Sequence, residues 1–200
     1  MRKLLVVLTL ILVPALAEAS TSSEGVPLKV RRGFFTETDI GGFFTVGGQN
    51  GYSNLQSYLQ LGAGYQFSFG DGEKNAVPIG LHVGIGANAA NCWDTKPLLA
   101  GDICQQSDNF TVTFITASAG FMRQILERFY IGGKLLVGYT LVDPEPVAGV
   151  SKGVNVGAAF SLEYATNMDH FTIGLDFVYR MVIGPNIHTL QFYPRVKYTF

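Results

Sequence analysis

Leu190-Gln191-Phe192-Tyr193-Pro194-Arg195-Val196-Lys197-Tyr198-Thr199-Phe200 is the stretch on which the reading of this chain turns. Taken alternately, Leu190, Phe192, Pro194, Val196, Tyr198 and Phe200 form one face, and Gln191, Tyr193, Arg195, Lys197 and Thr199 form the other. Side chains on a β-strand alternate between its two sides, so period-2 alternation of apolar and polar residues predicts a strand with one oily and one polar face. A single such strand cannot bury its oily face alone; it needs partners that repeat the pattern.

Seven earlier segments repeat it. They run over Gly33–Val46, Leu55–Phe69, Val77–Ala89, Phe110–Arg123, Phe129–Leu141, Val154–Ala165 and His170–Val182, separated by stretches rich in Gly, Asn, Pro and Asp. The second is the cleanest: Leu59, Leu61, Ala63, Tyr65, Phe67 and Phe69 alternate with Tyr58, Gln60, Gly62, Gly64, Gln66 and Ser68. In the fourth, Thr, Ser and Ala occupy both faces and leave the phase open. Eight successive hairpin-connected segments predict an all-β fold, an eight-stranded antiparallel up-and-down barrel.

Composition narrows the class. Only 14% of the 200 residues are charged, against roughly 25% in an ordinary soluble domain, while Gly reaches 24 residues and aromatics 12%. A net charge of -1 argues against nucleic acid as a partner. Arg2 and Lys3, the apolar run Leu4 to Leu16, and Ala17-Glu18-Ala19 read as a signal peptide over 1–19, cleaved before Ser20. The apolar run is shorter than the ~20 residues of a spanning helix. Residues 20–32 read as a polar periplasmic lead, and 33–200 as the barrel. Export means an oxidising compartment, so Cys92 and Cys104 are expected to form a disulfide bracing the loop that also carries Trp93.

The alternation alone fits either a soluble barrel with its oily face inward or a membrane barrel with that face outward. A soluble barrel needs charge on its wet face, and here the polar face is mostly Gly, Ser, Thr, Gln and Asn. Small residues suit the inside of a narrow barrel instead. The aromatics of the oily face also fall in two groups: Phe34, Tyr65, Phe67, Phe69, Tyr164, Phe171, Tyr198 and Phe200 at the turn end, and Phe44, Tyr139, Tyr179 and Phe192 towards the loop end. Two belts flanking an aliphatic band are what lipid interfaces select. The expected barrel is therefore transmembrane, with Gly47–Asn54, Ala90–Asn109, Val142–Gly153 and Ile183–Ile187 as its extracellular loops.

That orientation sends ionisable groups inward: Glu37, Asp39, Glu163 and Asp176 with Lys134, Arg180, Arg195 and Lys197, and His82 besides. Closing the cylinder brings the first and last strands together, so Glu37 and Asp39 are expected near Arg195 and Lys197; Lys134 and Glu163 lie on neighbouring strands. Such a cluster serves as a polar plug in place of a hydrophobic core, or as a proton or ion path, and the narrow bore favours the plug. A catalytic site would need a nucleophile, a base and an orienting group. His82 faces the lumen, His170 sits at a turn and His188 beside Thr189 near a loop; none belongs to a recognisable constellation, and GxSxG, HExxH and phosphate-loop motifs are missing. No catalytic residue, metal or cofactor is expected.

The mature chain resembles the small OmpA/OmpX/OmpW-like outer-membrane barrels, in its repeated alternation and in its ending on Tyr198-Thr199-Phe200. The resemblance implies residence in the bacterial outer membrane among lipid and lipopolysaccharide. It also implies that the tail, with Tyr198 and Phe200, is the signal read by the barrel-assembly machinery. Arg31-Arg32-Gly33-Phe34-Phe35-Thr36-Glu37-Thr38-Asp39-Ile40-Gly41-Gly42-Phe43-Phe44 further looks similar to the start of myxobacterial barrels of adventurous gliding motility. That second likeness covers one strand, and implies a non-enzymatic anchoring or cell-surface component of a motility or adhesion complex. A narrow pore for small or hydrophobic molecules is the alternative, and a lipid A-modifying enzyme a third.

Overall fold

A computed structural model describes residues 31–47, 51–52, 56–70, 73–92, 107–143, 151–168 and 170–200. The signal peptide and most of the lead, as well as Trp93 and Cys104, lie outside the described residues. So do parts of three of the expected extracellular loops.

Nine strands form one antiparallel sheet: β1 (Gly33–Gly47), β2 (Gly51–Tyr52), β3 (Gln56–Phe69), β4 (Asn75–Cys92), β5 (Ser107–Leu126), β6 (Phe129–Asp143), β7 (Lys152–Ala165), β8 (Phe171–Ile183) and β9 (Ile187–Thr199). Apart from the two-residue β2, each long strand pairs with its neighbours in sequence, and β1 pairs with β9 to close the ring. The result is a closed eight-stranded up-and-down barrel. Closure removes the sheet edges whose unpaired backbone groups would otherwise be exposed.

The period-2 pattern turns out as expected at nearly every strand. On β9 the oily face is outward and Gln191, Tyr193, Arg195, Lys197 and Thr199 are buried. The seam with β1 sets Glu37 opposite Lys197 and Asp39 opposite Arg195, then skips before resuming at Gly42 opposite Phe192. The skip falls at Pro194, which has no backbone N–H to give the ladder. Gly41 faces Tyr193 there, and a Cβ on Gly41 would stand 2.6 Å from the Tyr193 Cα, so the backbones approach where only Gly fits.

Three differences concern the strand ends. The Gly47–Asn54 loop contains β2, which folds back on β1 and pairs Tyr52 with Cys92 of β4. The Ala90–Asn109 connection is shorter than expected, because β4 runs on to Cys92 and β5 begins at Ser107, with a bulge between Asn88 and Asn91. Likewise β6 and β7 extend into the expected Val142–Gly153 loop, reaching Asp143 and Lys152. Hairpin pairing carries on past the oily band because backbone hydrogen bonds do not depend on which solvent bathes the side chains. The open phase of the fourth segment is settled as well: Val112, Phe114, Thr116, Ser118 and Met122 of β5 point in, and Ile115, Ala119, Phe121 and Arg123 point out.

Candidate functional site

The lumen is filled in three layers, set by how far along its strand each inward residue sits. At the turn end Met122, Tyr130, Ala76 and Ala165 pack together. Arg31, just before β1, reaches into this layer: its side chain is buried, its guanidinium lies 4.0 Å from the Tyr130 ring centre, and Nη2 donates to Glu163 Oε2 at 2.8 Å. The Arg31 carbonyl accepts from Gln66 Nε2 and, at 2.8 Å, from the Ser68 hydroxyl. The sequence reading left Arg31 in the lead, because it precedes the first alternation.

The middle layer is ionic. Arg195 donates through Nη1 to Asp176 Oδ2 and through Nη2 to Glu163 Oε1, both at 2.6 Å, and its Nε is 3.7 Å from Glu37 Oε2. Lys197 Nζ donates to Glu163 Oε1 at 2.8 Å and to Gln66 Oε1 at 2.9 Å. Lys134 Nζ lies 3.0 Å from Asp176 Oδ2 and 3.9 Å from Glu37 Oε1. His82 places Nε2 2.7 Å from Ser118 Oγ and Nδ1 3.2 Å from Glu37 Oε1. All the inward charges singled out in the sequence are buried, but several partners differ from those that strand adjacency suggests. Lys197 faces Glu37 in the ladder yet bonds Glu163, Lys134 bonds Asp176 rather than Glu163, and Asp39 receives its hydrogen bond from Gln60 Nε2. In a narrow bore a long side chain reaches across as readily as sideways.

Towards the loops the lumen becomes apolar. Tyr58 stacks on Tyr193 with ring centres 5.4 Å apart, and Phe114 packs edge-on against Phe43 and Tyr58 at 6.4 Å and 6.0 Å. Above them Val112, Val142, Val182 and Ile187 complete a buried cluster. Arg180 enters this layer from β8. Its guanidinium lies 4.3 Å from the Phe114 ring centre, and Nη1 donates to Thr116 Oγ1 at 3.3 Å on β5. The sequence puts Tyr58 and Tyr193 on the polar face but does not show that, together with Phe43 and Phe114, they form one aromatic stratum.

Glu37, Asp39 and His82 each offer a donor atom within 4.8 Å of the others, the one such metal-ligating group among the described residues. Lys134 and Arg195 already stand beside Glu37. A divalent cation would have to enter against their charge, so this donor set fits a metal poorly.

The outer wall is the reverse of the lumen. Leu81 and Leu135 in mid-strand are 70% and 71% exposed. At the turn end the aromatics touch one another, Phe34 with Tyr65 and Tyr198 with Phe200 at 5.0 Å and Phe171 with Tyr198 at 4.9 Å. Near mid-strand Phe177 meets Phe192 at 5.1 Å, and further towards the loops Tyr179 stacks on His188, whose Nδ1 is 2.6 Å from the Tyr179 hydroxyl. His170 stacks on Tyr198 and bonds the Thr199 carbonyl. Cys92 ends β4 opposite Ser107, while its expected partner Cys104 lies outside the described residues.

No protein-family model and no curated protein matches the chain. Solved structures do. Neisserial surface protein A superposes with a TM-score of 0.58 at 14% identity, over 84% of this chain and 97% of that one. Ail, the attachment invasion locus protein of Yersinia pestis, gives 0.53 at 11% identity over 84% of this chain and 99% of its own. A second Ail structure, in complex with the heparin analogue sucrose octasulfate, gives 0.50 at 10% identity over the same shares. At these identities the likeness is one of fold, and it does not support the narrower resemblance of the opening segment to gliding-motility barrels.

Proposed function

We propose that this chain is a bacterial outer-membrane β-barrel that performs no chemistry and serves as an anchoring or cell-surface interaction component, presenting the segments beyond its loop-end strands. The observation that carries this reading is the inversion of the wall: a continuous oily exterior, belted by aromatics, around a lumen of buried ions and rings. Water would penalise the first surface and hydrocarbon would welcome it. A filled bore favours a scaffold over a conduit, since the buried Arg180 crosses it and the valines close it above. Hairpins β4–β5 and β6–β7, which run on past the oily band, are the supports on which the outer segments would be displayed, and exposed loops on a rigid scaffold are where binding concentrates.

The test is a pull-down from native envelopes, with a tag at the mature N-terminus, run beside planar-bilayer recording of the purified barrel. The expected result is recovery in the outer-membrane fraction with a specific envelope or surface partner, and silent bilayers. Steady unitary currents would make the pore reading the correct one. An altered lipid A profile in a deletion strain would make it an enzyme.

A further inference from the structure

Arg31 differs from the other buried cations in how it reaches the lumen. Lys134, Arg180, Arg195 and Lys197 are carried by strands of the wall, whereas Arg31 precedes β1. The ladders of β1 begin at Gly33, opposite Gln66, and at Phe35, opposite Thr199. Between Arg31, buried in the lumen, and Phe34, 68% exposed on the outer wall, the chain turns at Gly33. Gly33 has φ +142°, and a Cβ on it would stand 2.5 Å from the Phe200 carbonyl oxygen, so the turn is open only to glycine. Arg31 can leave the lumen by this turn without breaking a rung of the barrel.

The groups that receive Arg31 come from four strands. Nη2 donates to Glu163 Oε2 of β7 at 2.8 Å, and Nη1 to Thr172 Oγ1 of β8 at 3.3 Å. The guanidinium lies 4.0 Å from the ring centre of Tyr130 on β6, and the Arg31 carbonyl accepts from Gln66 and Ser68 of β3. Together they recognise an arginine residue rather than any cation. A fork of two nitrogens bridges the carboxylate and the hydroxyl, and a flat face meets the ring, neither of which an ammonium supplies. Glu163 stays in position without Arg31, because Arg195 and Lys197 hold its other oxygen. Vacated, the cup would leave Oε2 of a buried carboxylate without its cation, which disfavours withdrawal unless a second arginine arrives. Arg32, the next residue, is exposed, so the cup opens at the turn-end mouth and an incoming side chain need not cross the ionic layer.

We propose that the turn-end mouth of the lumen is an arginine-binding site that the chain fills with its own Arg31, and that an arginine residue of a second, extended polypeptide segment takes its place by exchange. The segment before β1 is then a strap, closed by one side chain and released by competition.

The probe is N-acetylarginine amide, which carries both the guanidinium and the carbonyl; N-acetylcitrulline amide, of similar shape but uncharged, is the control. In the mature barrel in detergent, Arg31→Ala should lower the unfolding midpoint. The arginine probe should raise it again, saturably, by about 3 °C or more, and the citrulline control should not. No rise with the arginine probe, or an equal rise with citrulline, would overturn the site. Exchange is tested in the unsubstituted barrel, which also decides the matter should Arg31→Ala fail to refold. Arginine side-chain N–H resonances shielded from water are followed as the probe is raised to about 100 mM, well above the millimolar effective concentration of a short tether. Loss of shielding from Arg31 alone supports the exchange, and an unchanged spectrum refutes it. This inference concerns the turn-end mouth and stands whether or not a surface partner is found.

Discussion

Arg195 grips the ionic layer of the lumen: two carboxylates at 2.6 Å and a third at 3.7 Å converge on one guanidinium. Removing it together with Lys197 leaves Asp176 only Lys134 and Glu163 only Arg31 as ion-pair partners among the described residues, in a dry interior where breaking a buried pair costs about 3–5 kcal/mol. Arg195→Ala combined with Lys197→Ala is therefore expected to lower the temperature at which the barrel loses its fast gel mobility. Bilayers should stay silent, because the aromatic layer above is untouched; opening of a steady current would assign these side chains to a gate. Gly84 makes a different point. A Cβ there would run into the hydroxyl and ring of Tyr58. Gly84→Val should displace Tyr58 from its 2.7 Å bond to Gln60 and destabilise the barrel by about 1–3 kcal/mol, read from urea unfolding in detergent.

At the scale of the element, the proposed membrane setting puts the two faces of each strand in two different media, and substitutions should respond to the medium rather than to the local contacts. Leu135, at the centre of β6, touches little within the protein and is 71% exposed. In a soluble barrel Leu135→Arg would be harmless. Here it should cost about 2–4 kcal/mol in lipid vesicles, the value for a cation at the bilayer midplane, and an unchanged stability would contradict a lipid-facing wall. The last residue of the chain behaves differently: its backbone N–H donates to the Phe34 carbonyl at 2.8 Å, while its ring only leans on Tyr198. Phe200→Ser should then leave the melting of refolded protein almost unchanged but reduce the amount assembled in cells, measured as heat-modifiable barrel in the outer-membrane fraction. Equal losses in both assays would give Phe200 a structural role instead of a signalling one. The hairpin of β4 and β5 brings Cys92 to the end of its strand, where a bridge to Cys104 would clamp the outer segment. Thiol labelling of the unfolded, exported protein should find no free cysteine before reduction and two after it.

For the molecule as a whole, stability rests on an unusual division. The exterior is oily, strand pairing closes into a ring, and the interior is held by ions and rings in place of a uniform apolar core. Strand count, inward and outward faces and the identity of nearly all the buried charges were legible in the chain, because each follows from period-2 alternation and needs no knowledge of neighbours. The fourth segment was not, since a strand with Thr, Ser and Ala on both sides has no preferred face until Phe114 and Met122 meet the space left for them. Nor were the reach of Arg31 into the lumen, the contact of Arg180 with Phe114 and Thr116 across the bore, and the pairing of Lys134 with Asp176. Alternation says which wall a side chain stands on and which strand lies beside it. Which residues meet across the bore depends on the tilt and stagger of the closed cylinder, and those exist only once β1 has joined β9.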